Sequence, residues 1–477
     1  MGTAPLHVST LRAHAPAALL SQLTRLASEY GGRGHTLLFA LSANFPKADD
    51  LQAVVNQLNT FHGHHPAIKR TKAHRKMGRT VGCLTDAVPG DARLSCAVAI
   101  FDSARCTPFH SALAGRVQPQ VGRWHAFRKQ GDEDGSSQSM PEWTESNARS
   151  KPVDWDSVWQ HRGAAQPSSA ASVLPFELQS IPPYLINTLI SFSAPHPDTL
   201  TRALSSFLLD APTSASTSLT LTAAPTHFVT GRPVTLFLDG EIYGDGAVGV
   251  ALLREHADSE GDPAYRTEFV GVQRLGVPVV VTSNEGNMIN ALGDANPTRM
   301  LLSALGVAGL GGGVRTVKED AQFALGVLDA AGQIVQTYKI TAGDPASRGG
   351  SLALDAPRAP AVGTRVQFLH CPTNSEKTTQ KWTLPTSSKG AKVMAFMTVS
   401  EPTGASDVAE TDARENVEDE LNVDVDVDME EGAFVVASTQ GFVVSRVSGL
   451  EKEEGEGEPW ACSLPGGVGV VEWAGGD

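Results

Sequence analysis

Cys83 lies near the end of an apolar run, Val81-Gly-Cys-Leu-Thr85, and is followed, after Leu84, by Thr85 and Asp86. A thiol exposed at a strand end, with His110 or His125 brought to it by folding, is the arrangement of a cysteine nucleophile in a hydrolase or transferase. The competing reading is a small apolar side chain packed in a core. Gly343-Asp-Pro-Ala-Ser-Arg-Gly-Gly350 offers free backbone N–H groups and Arg348, which suit a phosphate or carboxylate, although a turn between strands needs the same residues. His62, His64, His65 and His74 cluster without a cysteine or carboxylate among them, so no metal is expected there. Asp424, Asp426 and Asp428 alternate as in a calcium loop, but the sixth position from Asp424 is Met429 and the twelfth is Val435, where an EF-hand needs Gly and Glu.

The common catalytic signatures are missing. The glycines of Gly306-Val-Ala-Gly-Leu-Gly-Gly-Gly313 follow a helical pattern ending at Leu305, and no G-x-G-x-x-G register fits them, so helix termination accounts for them better. The chain holds no G-x-x-x-x-G-K-[ST], no G-x-S-x-G and no H-E-x-x-H. No cofactor and no catalytic residue is expected.

The elements that would position these residues come from a chain of 477 residues, 41% hydrophobic and 19% charged, which is ordinary globular composition and enough for several domains. The longest apolar stretch, Leu301 to Val314, is short and broken by five glycines, so no membrane span is expected. Five cysteines without a C-x-x-C pair fit neither a disulfide framework nor a zinc finger and point to a reducing, intracellular location, cytoplasmic first. The first 28 residues, with Arg12, Arg25 and no acid before Glu29, share the composition of a mitochondrial transit peptide; a docked amphipathic helix through Leu11, Ala15, Leu19, Leu23 and Leu26, capped by Ser9 or Thr10, explains the same residues.

The net charge of −14 is local. Between Glu401 and Glu458 there are 18 acids against Arg414, Arg446 and Lys452, a balance of −15 that leaves +1 for the rest. The segment 401–432 therefore reads as a solvated, disordered acidic insertion. Positive charge gathers at Lys69, Arg70, Lys72, Arg75, Lys76 and Arg79, which suggests nuclear import or nucleic acid, but no aromatic side chain interleaves these cations to stack bases. A surface loop is the better reading, and nucleic acid is not an expected partner.

Short apolar runs alternate with helical patterns: strands at Thr36–Ser42, Val81–Thr85 and Cys96–Phe101, a helix through Leu51, Val54, Val55 and Leu58, then a polar excursion at 130–172. A strand at Leu189–Ser193, a helix from Asp198 to Leu208 and a strand near Leu219–Ala223 follow. Val234–Gly240 and Ala247–Leu253 read as a strand pair, with Asp239-Gly240 as a turn signal. Strands at Val277–Thr282, Phe323–Leu328, Ile334–Ile340, Val366–Leu369 and Val393–Val399, and a helix over Pro297–Leu305, complete the middle. Ala433–Ala437, Phe442–Val447 and Val468–Trp473 are too few for their own core and must return to an earlier sheet. No internal repeat is visible. The fold class is α/β, in the mixed α+β sense.

In order and spacing these motifs resemble the FIST domain family (F-box and intracellular signal transduction proteins). Thr80-Val-Gly-Cys-Leu-Thr85 resembles that family's strand ending in Gly-Cys-x-Thr, and Leu189–Ser193 with Phe228–Tyr243 and Asp245–Val250 resembles the end of its N-terminal half. Val272–Pro278, Val281-Thr-Ser-Asn-Glu-Gly-Asn287 and Leu292–Pro297 resemble the opening of its C-terminal half, and Ile340–Gly350 with Val362–Val366 its close. The resemblance implies a two-part module of sheets covered by helices, in which 1–35 is an N-terminal helix, 36–254 an N-like domain, 266–400 a C-like domain, 401–432 the acidic insertion, and 433–477 strands returning to the C-like domain. It also implies a non-enzymatic sensory or adaptor module that binds small, amino acid-like ligands and signals through a separate protein partner. No F-box precedes the first half, so the chain would be related to ubiquitin-ligase substrate receptors without sharing their scaffold contact. Strand-end loops line ligand clefts in α/β units, which selects Thr85, Asp86, Thr282, Glu285 and Asn287 as the expected ligand-binding residues.

Overall fold

The structure is a computed structural model that describes residues 4–31, 34–62, 78–88, 90–112, 174–210, 215–225, 232–254, 263–309, 321–343, 350–372, 390–400, 427–447 and 458–474. The polar excursion at 130–172, His64, His65, His74, His125, the basic residues from Lys69 to Lys76, Arg348 and the acidic residues from Glu401 to Asp426 lie outside them.

One connectivity is used three times. The first unit is β1 (His7–Ala13), α1 (Pro16–Tyr30), β2 (His35–Ser42), α2 (Ala48–Asn59), β3 (Arg79–Thr85) and β4 (Leu94–Asp102). The second is β5 (Cys106–Ser111), α3 (Phe176–Gln179), β6 (Ile186–Ser193), α4 (Asp198–Leu209), β7 (Ser216–Thr222), a hairpin of β8 (Leu236–Leu238) and β9 (Glu241–Tyr243), and β10 (Ala247–Leu253). The third begins with β11 (Ala264–Phe269). Into it is inserted a closed barrel of β12 (Gln273–Glu285), β13 (Met288–Leu292), β14 (Ala321–Leu328), β15 (Ile334–Gly343), β16 (Leu352–Leu354) and β17 (Arg365–Pro372), with α5 (Pro297–Val307). The unit then resumes with β18 (Lys392–Thr398), β19 (Val427–Glu431), β20 (Ala433–Ser438), a hairpin of β21 (Phe442–Val447) and β22 (Trp460–Cys462), and β23 (Gly467–Trp473).

In each unit the four main strands lie in the order first, fourth, second, third: β1-β4-β2-β3, β5-β10-β6-β7 and β11-β23-β18-β20. The second and third strands are parallel every time and the other neighbours antiparallel. The hairpin of the second unit extends the first sheet by pairing with β3, and the hairpin of the third extends the second sheet by pairing with β7. Asp86, directly after β3, bridges antiparallel to Ala437 of β20 and closes the cycle.

The period-2 alternation of these strands divides their side chains between two environments. Leu38, Cys83 and Ala97 of the first sheet, Phe192, Leu221 and Val250 of the second, and Phe396, Val436 and Val471 of the third meet in a shared core, where Phe192 stacks on Phe396 at 6.0 Å. The opposite residues, such as Leu37, Phe39 and Leu41, face helices. Leu19, Leu23 and Leu26 of α1 and Leu51, Val54, Val55 and Leu58 of α2 cover the first sheet; Leu200, Leu204 and Leu208 of α4 cover the second. Each such buried leucine contributes roughly 1.5–3 kcal/mol. This is the expected mixed α/β class, with sheets covered by helices. The barrel has its own core of Leu275, Val281, Ile289, Leu325, Val366 and Phe368, joined by Leu301 and Leu305 of α5. The side chain of Asn296 accepts the Arg299 N–H at 2.9 Å and caps that helix, and Gly309, at φ +74°, follows its end.

Several expectations are corrected. The first 35 residues are no separate helix. His7–Ala13 is a strand inside the seven-stranded sheet, and the helix starts at Pro16, whose fixed φ suits the first helical position. Leu11 belongs to the strand, Ser9 and Thr10 cap nothing, and the Thr10 hydroxyl instead donates to Ala433 O and accepts from Val435 N. Asp239-Gly240 does make the turn, with φ of +52° and +81° as a type I′ hairpin requires, but it joins β8 to the short β9. Ala247–Leu253 leaves for the interior of the second sheet, because Val248, Val250 and Leu252 fill the shared core while Ala247 and Ala251 are small enough to pack beneath helices. The C-terminal strands do not simply return to 266–400: β20 and β23 flank β18, but β21–β22 pair with β7 and β19 pairs with β1. The end of the acidic segment is therefore ordered. Val427–Glu431 is an edge strand, tied down by Arg12 to Glu430 at 2.8 Å and Arg93 to Asp428 at 3.3 Å.

Candidate functional site

The third strands of the three units, β3, β7 and β20, end side by side. Ala224 N donates to Leu84 O at 3.2 Å, Asp86 N donates to Ala437 O at 3.2 Å, and Thr439 N donates to the Asp86 carboxylate at 2.6 Å. The parallel registers match Ala40 with Cys83, Phe192 with Leu221 and Phe396 with Val436. Two residues further on, the inward positions are Ser42 and Thr85, Ala194 and Ala223, and Thr398 and Ser438. The large apolar core thus gives way at this end to a buried layer of small residues. The first and third units supply hydroxyls to it and the second supplies alanines.

The hydroxyls hold backbone. Ser42 Oγ accepts Ser95 N at 2.8 Å, Thr398 Oγ1 donates to Cys462 O at 3.0 Å, and Ser438 Oγ donates to Thr222 O while accepting Gln440 N. Thr85, 2% exposed, lies within this layer, and Asp86 stands half-buried at its rim. Its carboxylate accepts the Thr439 N–H, so the charge of Asp86 sits at the rim of this layer.

Thr282, Glu285 and Asn287 are on another body, the β12–β13 hairpin of the barrel. Thr282 Oγ1 accepts Asp294 N at 3.0 Å, the Asn287 side chain donates to Leu354 O at 2.9 Å, and Glu285 is exposed at the turn. Thr282 and Asn287 stitch the barrel together. The two expected groups have different hydrogen-bond partners.

Cys83 does not present an exposed thiol. It is completely buried between β2 and β8, opposite Ala40 and Leu236, and burial pushes its pKa well above the usual thiol range, the reverse of what a nucleophilic thiolate needs. The other four cysteines are also free and buried, with burial pushing Cys96 and Cys106 up to about 12 and Cys371 and Cys462 up to about 11. His62 bonds Arg79 O through Nε2 at 3.2 Å and packs on Phe61, and burial lowers its pKa. Among the described residues no group of three or more His, Cys, Asp or Glu could hold a metal ion. No helix among them is long and apolar enough to cross a membrane.

The residue missed in the sequence is Thr439, whose N–H reaches the Asp86 carboxylate from 353 positions away, flanked by Ser438 and Gln440. No local pattern marks it. Compared with known proteins, the chain matches no family model and no curated protein.

Proposed function

We propose that this protein is a non-enzymatic, FIST-like sensory module whose small, amino acid-like ligand seats where β3, β7 and β20 end together. The observation that supports this reading is the convergence at Asp86: a half-buried carboxylate beside a hydroxyl-bearing layer on one side and Ala194, Ala223 and Ala224 on the other. Crevices at the carboxyl ends of parallel strands are where α/β sheets hold ligands. A zwitterion would place its ammonium on Asp86 and its side chain over the alanines. The signal would then pass to a separate protein partner.

The test is a thermal-unfolding panel of amino acids and common metabolites on the purified protein. A ligand at 100 times its dissociation constant adds about 2.7 kcal/mol. A rise of several degrees with one chemical class, lost in Asp86→Ala, is expected. A flat panel on a cooperatively unfolding sample overturns the small-molecule reading.

A second reading, a protein-interaction adaptor, is favoured by β19. This acidic strand forms the edge of the seven-stranded sheet, with the Asp428 side chain 58% exposed, and would meet a basic partner. Charge reversal at Asp428 and Glu431 should weaken capture of that partner without moving the thermal response to ligand.

A further inference from the structure

The first strand of each unit carries one side chain toward a neighbouring element at the same register. Thr10 lies opposite Ala97, His110 opposite Val248, and Thr267 opposite Gly469, where those three partners in turn lie opposite Ala40, Phe192 and Phe396. Two of these positions are fastened by hydroxyls, Thr10 to β20 of the third unit and Thr267 to β15 of the barrel. Thr10 Oγ1 bonds Ala433 O at 2.7 Å and Val435 N at 2.9 Å, and Thr267 Oγ1 bonds Val335 O at 2.8 Å.

The third position, at a seam between the edges of the second and first sheets, is built differently. The His110 ring, on edge strand β5, stacks on Tyr243 of edge strand β9 with centroids 4.0 Å apart and planes 30° from parallel. Its Nε2 is buried without a hydrogen-bond partner among the described residues. The charged groups around the ring are Glu177 of α3, Glu241 of β9 and Asp245 in the turn before β10; none is a hydrogen-bond partner of that nitrogen. Glu241 accepts the Tyr243 hydroxyl at 2.6 Å, and Arg232 bonds Ile242 O next to it. On β10 the residue opposite His110 is the apolar Val248.

We propose that the His110–Tyr243 stack is a proton-sensitive latch that holds β9 against β5 while the imidazole is neutral and releases it when the ring takes a proton. A buried Nε2 with no acceptor cannot carry N–H⁺ at low cost, whereas an opened seam hydrates it. Burial lowers the His110 pKa from its ordinary value against the opposing pull of Glu177, Asp245 and Glu241. The closed seam is therefore favoured above pH 6.5 and loses ground as pH falls below it.

Hydrogen-exchange mass spectrometry at pH 7.5, 6.5 and 5.5, corrected for intrinsic exchange rates, reads the latch directly. Protection of 241–246 should fall severalfold across this range. Protection of 80–85, inside the first sheet, should not change. His110→Phe keeps a stacked ring without a titrating nitrogen and should give a flat profile; His110→Gln, the second variant, should be equally flat at lower protection. A wild-type profile that is flat at 241–246 overturns the latch, as does an undiminished loss of protection in either variant.

Discussion

The Asp86 carboxylate accepts a hydrogen bond from the backbone N–H of Thr439 at 2.6 Å, while its own N–H donates to Ala437 O. This double contact joins the first and third units and forms the rim of the proposed ligand seat.

Asp86→Ala should therefore act twice. Loss of a charge-assisted hydrogen bond to a half-buried backbone N–H costs about 1.5–3 kcal/mol, read as a lower denaturant midpoint. The thermal response to any amino acid-like ligand should also disappear. Asp86→Asn, which keeps an acceptor for Thr439 N, should recover most of the stability and little of the ligand response.

Thiol reactivity separates the seat from the rival cysteine chemistry. All five cysteines are buried and their thiols are shifted upward, so the native protein should react with a disulfide reagent far more slowly than the denatured chain, in which five thiols should be counted. A single rapidly labelled thiol, lost in Cys83→Ser, would restore the nucleophile reading.

Thr10→Val should destabilise by about 2 kcal/mol or more, since it leaves Ala433 O and Val435 N without the hydroxyl that serves both. Thr10→Ser should be milder. The denaturant midpoint, with circular dichroism to confirm the fold, checks both.

Gly240 and Gly82 respond to alanine for different reasons. At Gly240, φ is +81° and an added Cβ meets nothing within 4 Å, so the cost is backbone strain alone, about 1 kcal/mol. At Gly82 the added Cβ would lie 2.5 Å from the Phe39 ring, which must move within the packed helix-facing core. The Gly82 variant should show the larger fall in melting temperature.

Stability should decline as pH drops from 7.5 toward 5. Burial lowers the pKa of His7, His62, His110 and His370, so each contributes stability that is complete above its unfolded value near 6.5 and is lost as pH falls below it. Urea midpoints across this range, with His62→Phe as a flatter comparison, check the direction.

The helices were legible where apolar residues recur every three or four positions, as at Leu51, Val54, Val55 and Leu58, and the strands where apolar runs are short. The N-terminus misled because Leu11 and Ala15 happen to lie four apart, while the strand that contains Leu11 owes its place to partners on β4 and β19. The Asp239-Gly240 turn was readable from two residues, but its second strand was not: β9 and β10 are both plausible partners along the chain, and only burial of Val248 and Val250 sends β10 to the other sheet. Thr85 and Asp86 were found at a strand end. Their neighbours were not, since nothing local in Ser438-Thr439-Gln440 points to Asp86.

Composition, periodicity and turn chemistry thus determined the mixed α/β class, most elements and the confinement of negative charge to one segment, because each depends on residues near one another in sequence. The threefold recurrence of one strand order, the burial of Cys83, the contact of Asp86 with Thr439, and the His110–Tyr243 stack were decided only in three dimensions. Strand pairing is made by backbone groups that every residue carries, so which strands meet is set by how whole faces bury together, and that information is spread over the entire chain.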